Sequence, residues 1–151
     1  MRPGEAEDIY DAVLALRPGA EDAYFLRGNV RLVQGNYEGA KADFDKVISM
    51  DPKNYDRLIQ IYHVMDYFDH GETGREYLQA ALASGDKDMD KYASGRIHYY
   101  LGEYQSAYLD LEEARETGGV ESYLYLGKSY EATGDYNYAA NVYNSYLEKN
   151  E

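Results

Sequence analysis

The sequence predicts an all-α fold of stacked helix-turn-helix repeats, with about nine helices and no strands. A Gly-x-Tyr phrase recurs with a period of about 32 to 34 residues, the length of one unit in a stacked array. Each phrase has another Gly seven residues before it and an Ala three residues after its Tyr, small residues that let two helices approach closely. The three phrases are Gly35-Asn36-Tyr37, Gly102-Glu103-Tyr104 and Gly134-Asp135-Tyr136.

Stop and start signals predict where the helices end and begin. Gly35 tolerates the left-handed conformation in which many helices end, and Asn36 or Asp135 can cap the helix that follows. Pro18 and Pro52 end the second helices of their units, because Pro does not continue a helix. Where Pro is absent, the same role is expected of Gly85, Gly118 and Gly119.

The repeat frame divides the whole chain. Its best-preserved unit spans residues 21–54, and later units follow at 55–87, 88–119 and 120–151. Extended backward, the frame puts residues 1–20 on the second helix of a preceding repeat whose first helix is missing, so we expect a piece of something longer. The unit from 55 is degenerate, since Tyr62 stands where Gly28 stood and Gly74 replaces the Ala. Its apolar spacing survives, which predicts one array over residues 1–151.

The best unit carries a family resemblance. Its signature residues are Tyr24, Gly28, Gly35, Tyr37, Ala40, Phe44 and Pro52. With this spacing the chain resembles the tetratricopeptide repeat family. The resemblance implies a right-handed superhelical solenoid that acts as a non-catalytic protein-binding module.

Nineteen tyrosines and no tryptophan stand out in the composition. Eight tyrosines fall on signature positions, where packing between helices is expected: Tyr10, Tyr24, Tyr37, Tyr104, Tyr123, Tyr130, Tyr136 and Tyr143. In the resembling family the first helix of each unit lines a concave groove. Carried over, this implies a partner-binding groove of Phe25, Asn29, Ile59, His63, Asp66, Tyr67, Tyr92, Arg96, Tyr99, Tyr100, Leu124 and Lys128.

The register of the third unit's first helix has two interpretations. The frame puts Lys91, Ser94 and His98 at inward positions, which is poor packing for polar residues. A shift of one residue would turn Tyr92 and Tyr99 inward instead. Tyr100 faces the groove in either register.

Some members of the family grip the carboxylate of chaperone tails with a clamp of Lys, Asn and Arg residues. Here only Asn29 matches that clamp, and the other positions hold Phe25, Gln60, Met89 and Ala93. A chaperone-tail ligand is therefore disfavoured. The aromatic groove points instead to an internal peptide segment or a helix of a partner protein.

Charge and composition limit the other partners. The formal net charge is −13, with 28 acidic against 15 basic residues, so a nucleic-acid partner is not expected. The chain has no long apolar run, so direct membrane insertion is not expected either. It has no cysteine, which removes disulfides and thiol chemistry and leaves the compartment open.

An enzymatic or metal-binding function has weak support. His63, Asp66 and His70 would share one face of a continuous helix, but the frame ends that helix near Asp69 and puts His70 in a turn. The sequence contains no nucleophile elbow, phosphate-binding Gly loop or HExxH motif. We therefore expect no catalytic residue, no metal and no cofactor.

Self-assembly is the alternative function. The N-terminal helix carries Ile9, Tyr10, Val13, Leu14 and Leu16, more apolar surface than one neighbouring helix covers. This predicts a homo-oligomer, or a scaffold that uses its exposed repeat ends. A third alternative is that the array is the sensing arm of a larger regulator or enzyme.

Overall fold

The computed structural model describes residues 1–150, which form nine α-helices and no strands, as the sequence predicts. The helices are α1 (Pro3–Leu16), α2 (Glu21–Val33), α3 (Tyr37–Met50), α4 (Tyr55–Tyr67), α5 (Gly71–Ala83), α6 (Lys91–Tyr100), α7 (Tyr104–Glu113), α8 (Glu121–Ala132) and α9 (Tyr136–Lys149). None of the described helices combines the length and apolar character that crossing a bilayer requires.

The chain divides into two compact units, and the boundary falls inside α5. The first unit is Met1–Tyr77, and the second begins at Leu78. In the first unit α1 packs on α2, and α2 packs on α3 and α4. In the second, α6 packs on α7 and α8, α7 packs on α8, and α8 packs on α9. Both units thus consist of helical hairpins stacked on their neighbours, and their continuity as one array stays a prediction.

Each unit has its own buried apolar cluster. The cluster of the first unit is Leu32, Ala40, Phe44, Val47, Ile61 and Met65. The cluster of the second unit is Ala107, Leu111, Tyr123, Leu126 and Val142. These residues come from both helices of one hairpin and from one helix of the neighbouring hairpin, α4 in the first unit and α7 in the second, so burial of apolar area stabilises a unit only when its hairpins stack.

Two glycines set the distance between the helices of a hairpin. A Cβ atom on Gly28 would lie 2.6 Å from Cε1 of Phe44, and one on Gly95 would lie 2.6 Å from Cγ of Leu111. Both distances are shorter than van der Waals contact, so a glycine is needed there for α2 to lie on α3 and for α6 to lie on α7.

The turns adopt the left-handed backbone that the sequence predicts. Gly35, Gly102 and Gly134 have φ angles of 78°, 78° and 88°. Asp69 stands at the corresponding place in the unit from 55 and has a φ of 66°. Aspartate is one of the few residues besides glycine that tolerates this region, so the turn forms without its glycine.

The predicted helix caps also form. The side-chain oxygen of Asn36 accepts a hydrogen bond from the N–H of Gly39 at 3.0 Å, and that of Asp135 accepts one from the N–H of Tyr138 at 3.2 Å. Each bond satisfies one of the N–H groups that a helix start leaves unpaired.

Among the signature tyrosines, Tyr37 packs against residues of the next hairpin as expected, whereas Tyr136 does not. Tyr37 stacks on His70 with ring centroids 3.9 Å apart, and its hydroxyl lies 2.7 Å from Oγ1 of Thr73 in α5. Tyr136 is 68% exposed, because no helix follows α9 within the described residues to cover it. The other tyrosines at signature positions are at least partly buried.

Candidate functional site

The first candidate face belongs to α2. Phe25 is half-buried, with its ring 6.1 Å from that of Phe44, and the guanidinium of Arg57 lies 4.1 Å from its centroid. Arg57 is itself held by ion pairs with Glu21 and Asp22, each at 2.7 Å. The phenyl ring is therefore fixed between the core and a cation, and the sequence analysis had not singled out Arg57.

Asn29 lies one turn further along α2 and carries an unsatisfied polar atom. Its Oδ1 is buried and receives no hydrogen bond from the described protein. A buried acceptor without a donor costs roughly 1–3 kcal/mol, so such atoms are rare in folded proteins. Rotation about the last side-chain torsion, which has a broad energy minimum, can turn this oxygen outward.

The four predicted residues of α4 differ in exposure. Ile59 is buried and offers little surface, whereas His63, Asp66 and Tyr67 are exposed. Tyr67 is 81% exposed, which is unusual for a large aromatic side chain. Desolvation by surrounding protein atoms lowers the pKa of His63 below its usual value, and the nearby charge of Asp66 opposes that shift.

In the second unit the predicted tyrosines gather around Tyr125, a residue that the sequence analysis did not select. We call Tyr92, Tyr99, Tyr100 and Tyr125 the tyrosine cluster. Tyr125 makes edge contacts with the other three rings at centroid distances of 5.7 to 6.2 Å. The hydroxyls of Tyr100 and Tyr125 lie 2.9 Å apart, and burial together with this hydrogen bond raises the pKa of Tyr100.

Two cations lie over rings of the tyrosine cluster. The guanidinium of Arg96 is 4.1 Å from the centroid of Tyr92, and its Nε donates to the carbonyl oxygen of Tyr92 at 3.3 Å. The ammonium of Lys128 is 5.9 Å from the centroid of Tyr125, while the neighbouring Leu124 is half-buried. Such contacts are worth about 0.5–1 kcal/mol at exposed sites, and they hold the cations beside the rings.

The polar residues at inward positions of α6 have polar partners on α7 or on Glu103, the residue that precedes α7. Oγ of Ser94 donates to Oδ2 of Asp110 at 2.7 Å, and Nζ of Lys91 lies 3.5 Å from Oδ1 of the same carboxylate. Nδ1 of His98 lies 3.3 Å from Oε1 of Glu103. Tyr92 and Tyr99 also pack against the buried cluster of the second unit, so they are half-buried as well as part of the tyrosine cluster.

The predicted break before His70 is confirmed. His63 and Asp66 belong to α4, whereas His70 lies in the turn before α5 and stacks on Tyr37. Within residues 1–150, no group of three or more His, Asp or Glu side chains could hold a metal ion.

The predicted binding residues therefore fall into two sets. Those of the first unit are Phe25, Asn29, Ile59, His63, Asp66 and Tyr67, and those of the second are Tyr92, Arg96, Tyr99, Tyr100, Leu124 and Lys128. Neither Arg57 nor Tyr125 was singled out from the sequence. The adjacency of Tyr125 to Leu124 in a tyrosine-rich helix is the signal that could have identified it.

Comparison with known proteins gives matches at both ends of the chain. A tetratricopeptide repeat family model matches residues 21–54, and a second model of that description matches residues 121–150. A stretch of 52 residues is 44% identical to the "FK506-binding protein-like" protein of Mus musculus. That match covers 34% of this chain and 15% of the relative, so the chain spans a small part of that protein.

Several solved structures share the fold. YrrB, described as a TPR protein with an unusual peptide-binding site, is 21% identical, with a TM-score of 0.55 over 97% of this chain and 77% of its own. MamA is 21% identical, with a TM-score of 0.56 over 95% of this chain and 86% of its own. The MamA RS-1 ArsTM double mutant is 17% identical, with a TM-score of 0.57 over 97% of this chain and 84% of its own. At these identities the likeness establishes an all-α helical-repeat fold.

Proposed function

The chain is a tetratricopeptide-repeat protein, and from that premise we propose that it is a non-catalytic module that binds a peptide or helical segment of a partner protein. Stacked repeats create extended surfaces suited to such ligands. Each unit has its own candidate faces on its first helices: α2 and α4 in the first unit and, described separately, α6 and α8 in the second.

The observation that carries this proposal is the unsatisfied Oδ1 of Asn29. An extended peptide brings one backbone N–H per residue, and a donor of this kind would satisfy the oxygen once the amide turns outward. Phe25 on the same helix, with Arg57 over its ring, offers an apolar and cationic surface beside that oxygen.

Exposed aromatic side chains support the same function. Tyrosine combines a large, stiff contact area with a polar tip, which is why it is enriched where binding energy concentrates. Tyr67 presents nearly its whole side chain on α4. The tyrosine cluster gives the second unit a half-buried aromatic surface with Arg96 and Lys128 beside it. Peptide binding is also the property stated for the structurally similar YrrB.

The experiment is to pan a peptide display library against the parent chain and, in parallel, against an Asn29→Leu, Tyr67→Ala variant. Tyr136→Ala is the matched control, because Tyr136 is also an exposed tyrosine but lies on α9, the second helix of its hairpin. We expect the parent and the control to enrich one motif that the double variant does not enrich. A motif enriched equally by all three chains would place binding elsewhere and refute the proposal.

A second candidate function is assembly through the repeat ends, as a scaffold. Its specific support is exposed apolar surface at both ends of the described chain: Leu16 on α1 is 85% exposed and Leu147 on α9 is 60% exposed. Analytical ultracentrifugation at increasing concentrations of the chain tests this function. A molecular mass that remains that of the monomer at millimolar concentration would exclude it. The role of a sensing arm in a larger protein stays a prediction.

A further inference from the structure

Three tyrosine rings of the second unit meet around one carboxylate, and none of them belongs to the tyrosine cluster. They are Tyr108 on α7, Tyr130 on α8 and Tyr138 on α9, and the carboxylate is that of Glu112 on α7. The ring centroids of Tyr108 and Tyr130 are 4.5 Å apart, and those of Tyr130 and Tyr138 are 4.4 Å apart. None of these four side chains is among the candidate peptide-binding residues, so the proposed function does not account for the arrangement.

The hydroxyls of two of these rings share one acceptor atom. Oε1 of Glu112 accepts a hydrogen bond from the hydroxyl of Tyr130 at 2.9 Å and another from that of Tyr138 at 3.0 Å. Nη1 of Arg115 donates to Oε2 of the same carboxylate at 3.4 Å and to the Tyr138 hydroxyl at 3.3 Å, which fixes the carboxylate beside the two phenols. Both phenolic protons therefore have a base within hydrogen-bond distance.

A base at the hydroxyl matters for the oxidation of a tyrosine. Removal of one electron makes the phenolic O–H strongly acidic, so at neutral pH the electron leaves readily only when the proton is transferred to a base. Burial and the bond to Glu112 raise the pKa of Tyr130, which therefore stays a phenol at neutral pH. Oxidation of this ring thus depends on proton transfer to Glu112.

The orientation of the rings determines which pair can join. Two tyrosyl radicals couple through the ring carbons next to the hydroxyl-bearing carbon, and the new bond lies in the planes of both rings. Tyr108 and Tyr130 are stacked with only 13° between their planes, an arrangement that does not direct their edges at each other. Tyr130 and Tyr138 are inclined at 65°, and their hydroxyls converge on one oxygen atom. The coupling carbons of this second pair therefore lie near the same carboxylate oxygen.

We propose that Tyr130 and Tyr138 are a site of oxidative modification, at which a diffusible one-electron oxidant forms a dityrosine cross-link between α8 and α9. Each tyrosine gives one electron to the oxidant and its phenolic proton to Glu112, which passes the proton to water. The two radicals then form one carbon–carbon bond, and the hydrogens on the bonded carbons move to the phenolic oxygens as the rings regain aromaticity. The pair has then lost two electrons and two protons, and two equivalents of the oxidant have each gained one electron.

The proton acceptor distinguishes this pair from the tyrosine cluster. The hydrogen bond between the hydroxyls of Tyr100 and Tyr125 joins one phenol to another, and a neutral phenol is a much weaker base than a carboxylate. Tyr138 is also 36% exposed, so a small oxidant in solution can reach one ring of the proposed pair. Oxidation within the second unit is therefore expected first at Tyr130 and Tyr138.

The cross-link would fasten the two helices of one hairpin to each other. It would close a loop that contains the turn at Gly134, between α8 and α9. Closing a loop covalently lowers the conformational entropy of the unfolded chain. Oxidation at this site would therefore hold α9 on α8.

The test oxidises the full chain with a photochemically generated ruthenium(III) tris-bipyridine complex, with persulfate as the terminal electron acceptor. The chain is kept dilute so that coupling within one molecule is favoured over coupling between molecules. After proteolysis, mass spectrometry locates the cross-linked peptides, and dityrosine fluorescence measures the yield. We expect the main product to join Tyr130 to Tyr138, in a chain whose mass is lower by two hydrogen atoms.

Two glutamate variants test the role of the carboxylate. Glu112→Gln keeps the shape of the acceptor but removes its basicity, and it is expected to lower the yield of this product at least about tenfold. Glu131→Gln is the matched control, because Glu131 also accepts a hydrogen bond from a tyrosine hydroxyl, that of Tyr143 at 2.7 Å. The control should leave the yield unchanged.

Three results would overturn the proposal. One is an equal yield from the two glutamate variants. Another is a main product that joins other tyrosines, such as Tyr67 and Tyr136, which are more exposed. The third is oxidation of tyrosines without any cross-link inside the chain. None of these measurements involves a bound peptide, so the proposed peptide-binding function stands or falls separately.

Discussion

Arg27 on α2 donates two hydrogen bonds to the carboxylate of Asp43 on α3, from Nε to Oδ2 at 3.0 Å and from Nη2 to Oδ1 at 2.7 Å. Arg31 adds a third bond to Oδ2 at 3.1 Å. The same two arginines reach Asp11 and Glu7 on α1. Hydrogen bonding to Asp43 raises the pKa of Arg27, so its guanidinium stays charged at all ordinary pH values. One buried carboxylate thus links the hairpin of α2 and α3, and its arginine partners extend the link to α1.

Replacing Asp43 should destabilise the first unit strongly. Asp43 is 2% exposed, and Asp43→Ala would leave both arginines partly buried without their main acceptor. We expect a loss of about 3 kcal/mol in the free energy of unfolding, measured by urea denaturation. Glu38→Ala on the exposed side of the same helix is the control and should change it by less than about 0.5 kcal/mol. A loss below about 1 kcal/mol for Asp43→Ala would contradict this account.

A methyl group on Gly95 should separate α6 from α7. The added Cβ would lie 2.6 Å from Cγ of Leu111, a buried side chain that has little room to move. Gly95→Ala should therefore cost about 1–3 kcal/mol. Gly4→Ala is the matched control, because Gly4 is also helical and its Cβ would meet no atom within 4 Å. Equal stability of the two variants in thermal melts would refute the close-approach argument.

The fold should lose stability above about pH 10. Burial raises the pKa of Tyr77, Tyr100, Tyr130 and Tyr143, and each hydroxyl also has a hydrogen-bond partner. A raised pKa means that the folded chain keeps these protons after the unfolded chain has lost them near pH 10. The stability that these four tyrosines contribute to the fold is present below about pH 10 and is lost as the pH rises above it. Ultraviolet titration should show a late group of tyrosines that ionises together with unfolding, and Tyr100→Phe should reduce the loss of stability. Ionisation of all nineteen tyrosines near pH 10 in the folded chain would contradict this.

His63 should titrate below its usual pKa of about 6.5. Desolvation lowers its pKa and Asp66 raises it, so Asp66→Asn should move the midpoint lower still. Because the folded pKa lies below the unfolded one, the stability tied to His63 is fully present above pH 6.5 and is lost as pH falls from there through the lower folded pKa. NMR of the imidazole protons measures the midpoint directly, with Glu5→Gln on α1 as a control that leaves it unchanged. A midpoint above 6.5 in the parent chain would show that desolvation does not dominate.

The periodic glycines allowed the fold to be predicted, since they impose conformations that few residues share. Gly35 and Gly134 end helices through positive φ angles, and Asn36 and Asp135 cap the next ones as expected. Asp69 occupies the corresponding place and also has a positive φ angle, although an aspartate there did not predict a helix end. Spacing was therefore a better guide than identity where the repeat degenerates.

The candidate site was less predictable, because exposure depends on which side chains meet across helices. Ile59 and Tyr67 were selected by the same family positions, yet one is buried and the other is almost fully exposed. The polar residues at inward positions of α6 suggested poor packing from the sequence alone. In the structure the hydroxyl of Ser94 donates a hydrogen bond to Asp110 on α7. The adjacency of Tyr125 to Leu124 was a signal for its involvement, but its central role arises from three rings that converge on it in space.

The most direct test of the proposed function is the affinity of one display-enriched peptide for three chains, measured by calorimetry. The chains are the parent, Asn29→Leu and the control Tyr136→Ala. We predict that Asn29→Leu binds at least about tenfold more weakly, because it removes the acceptor that the peptide would satisfy, and that Tyr136→Ala binds as the parent does. Equal affinity for all three chains would contradict the assignment of the ligand to the face of α2.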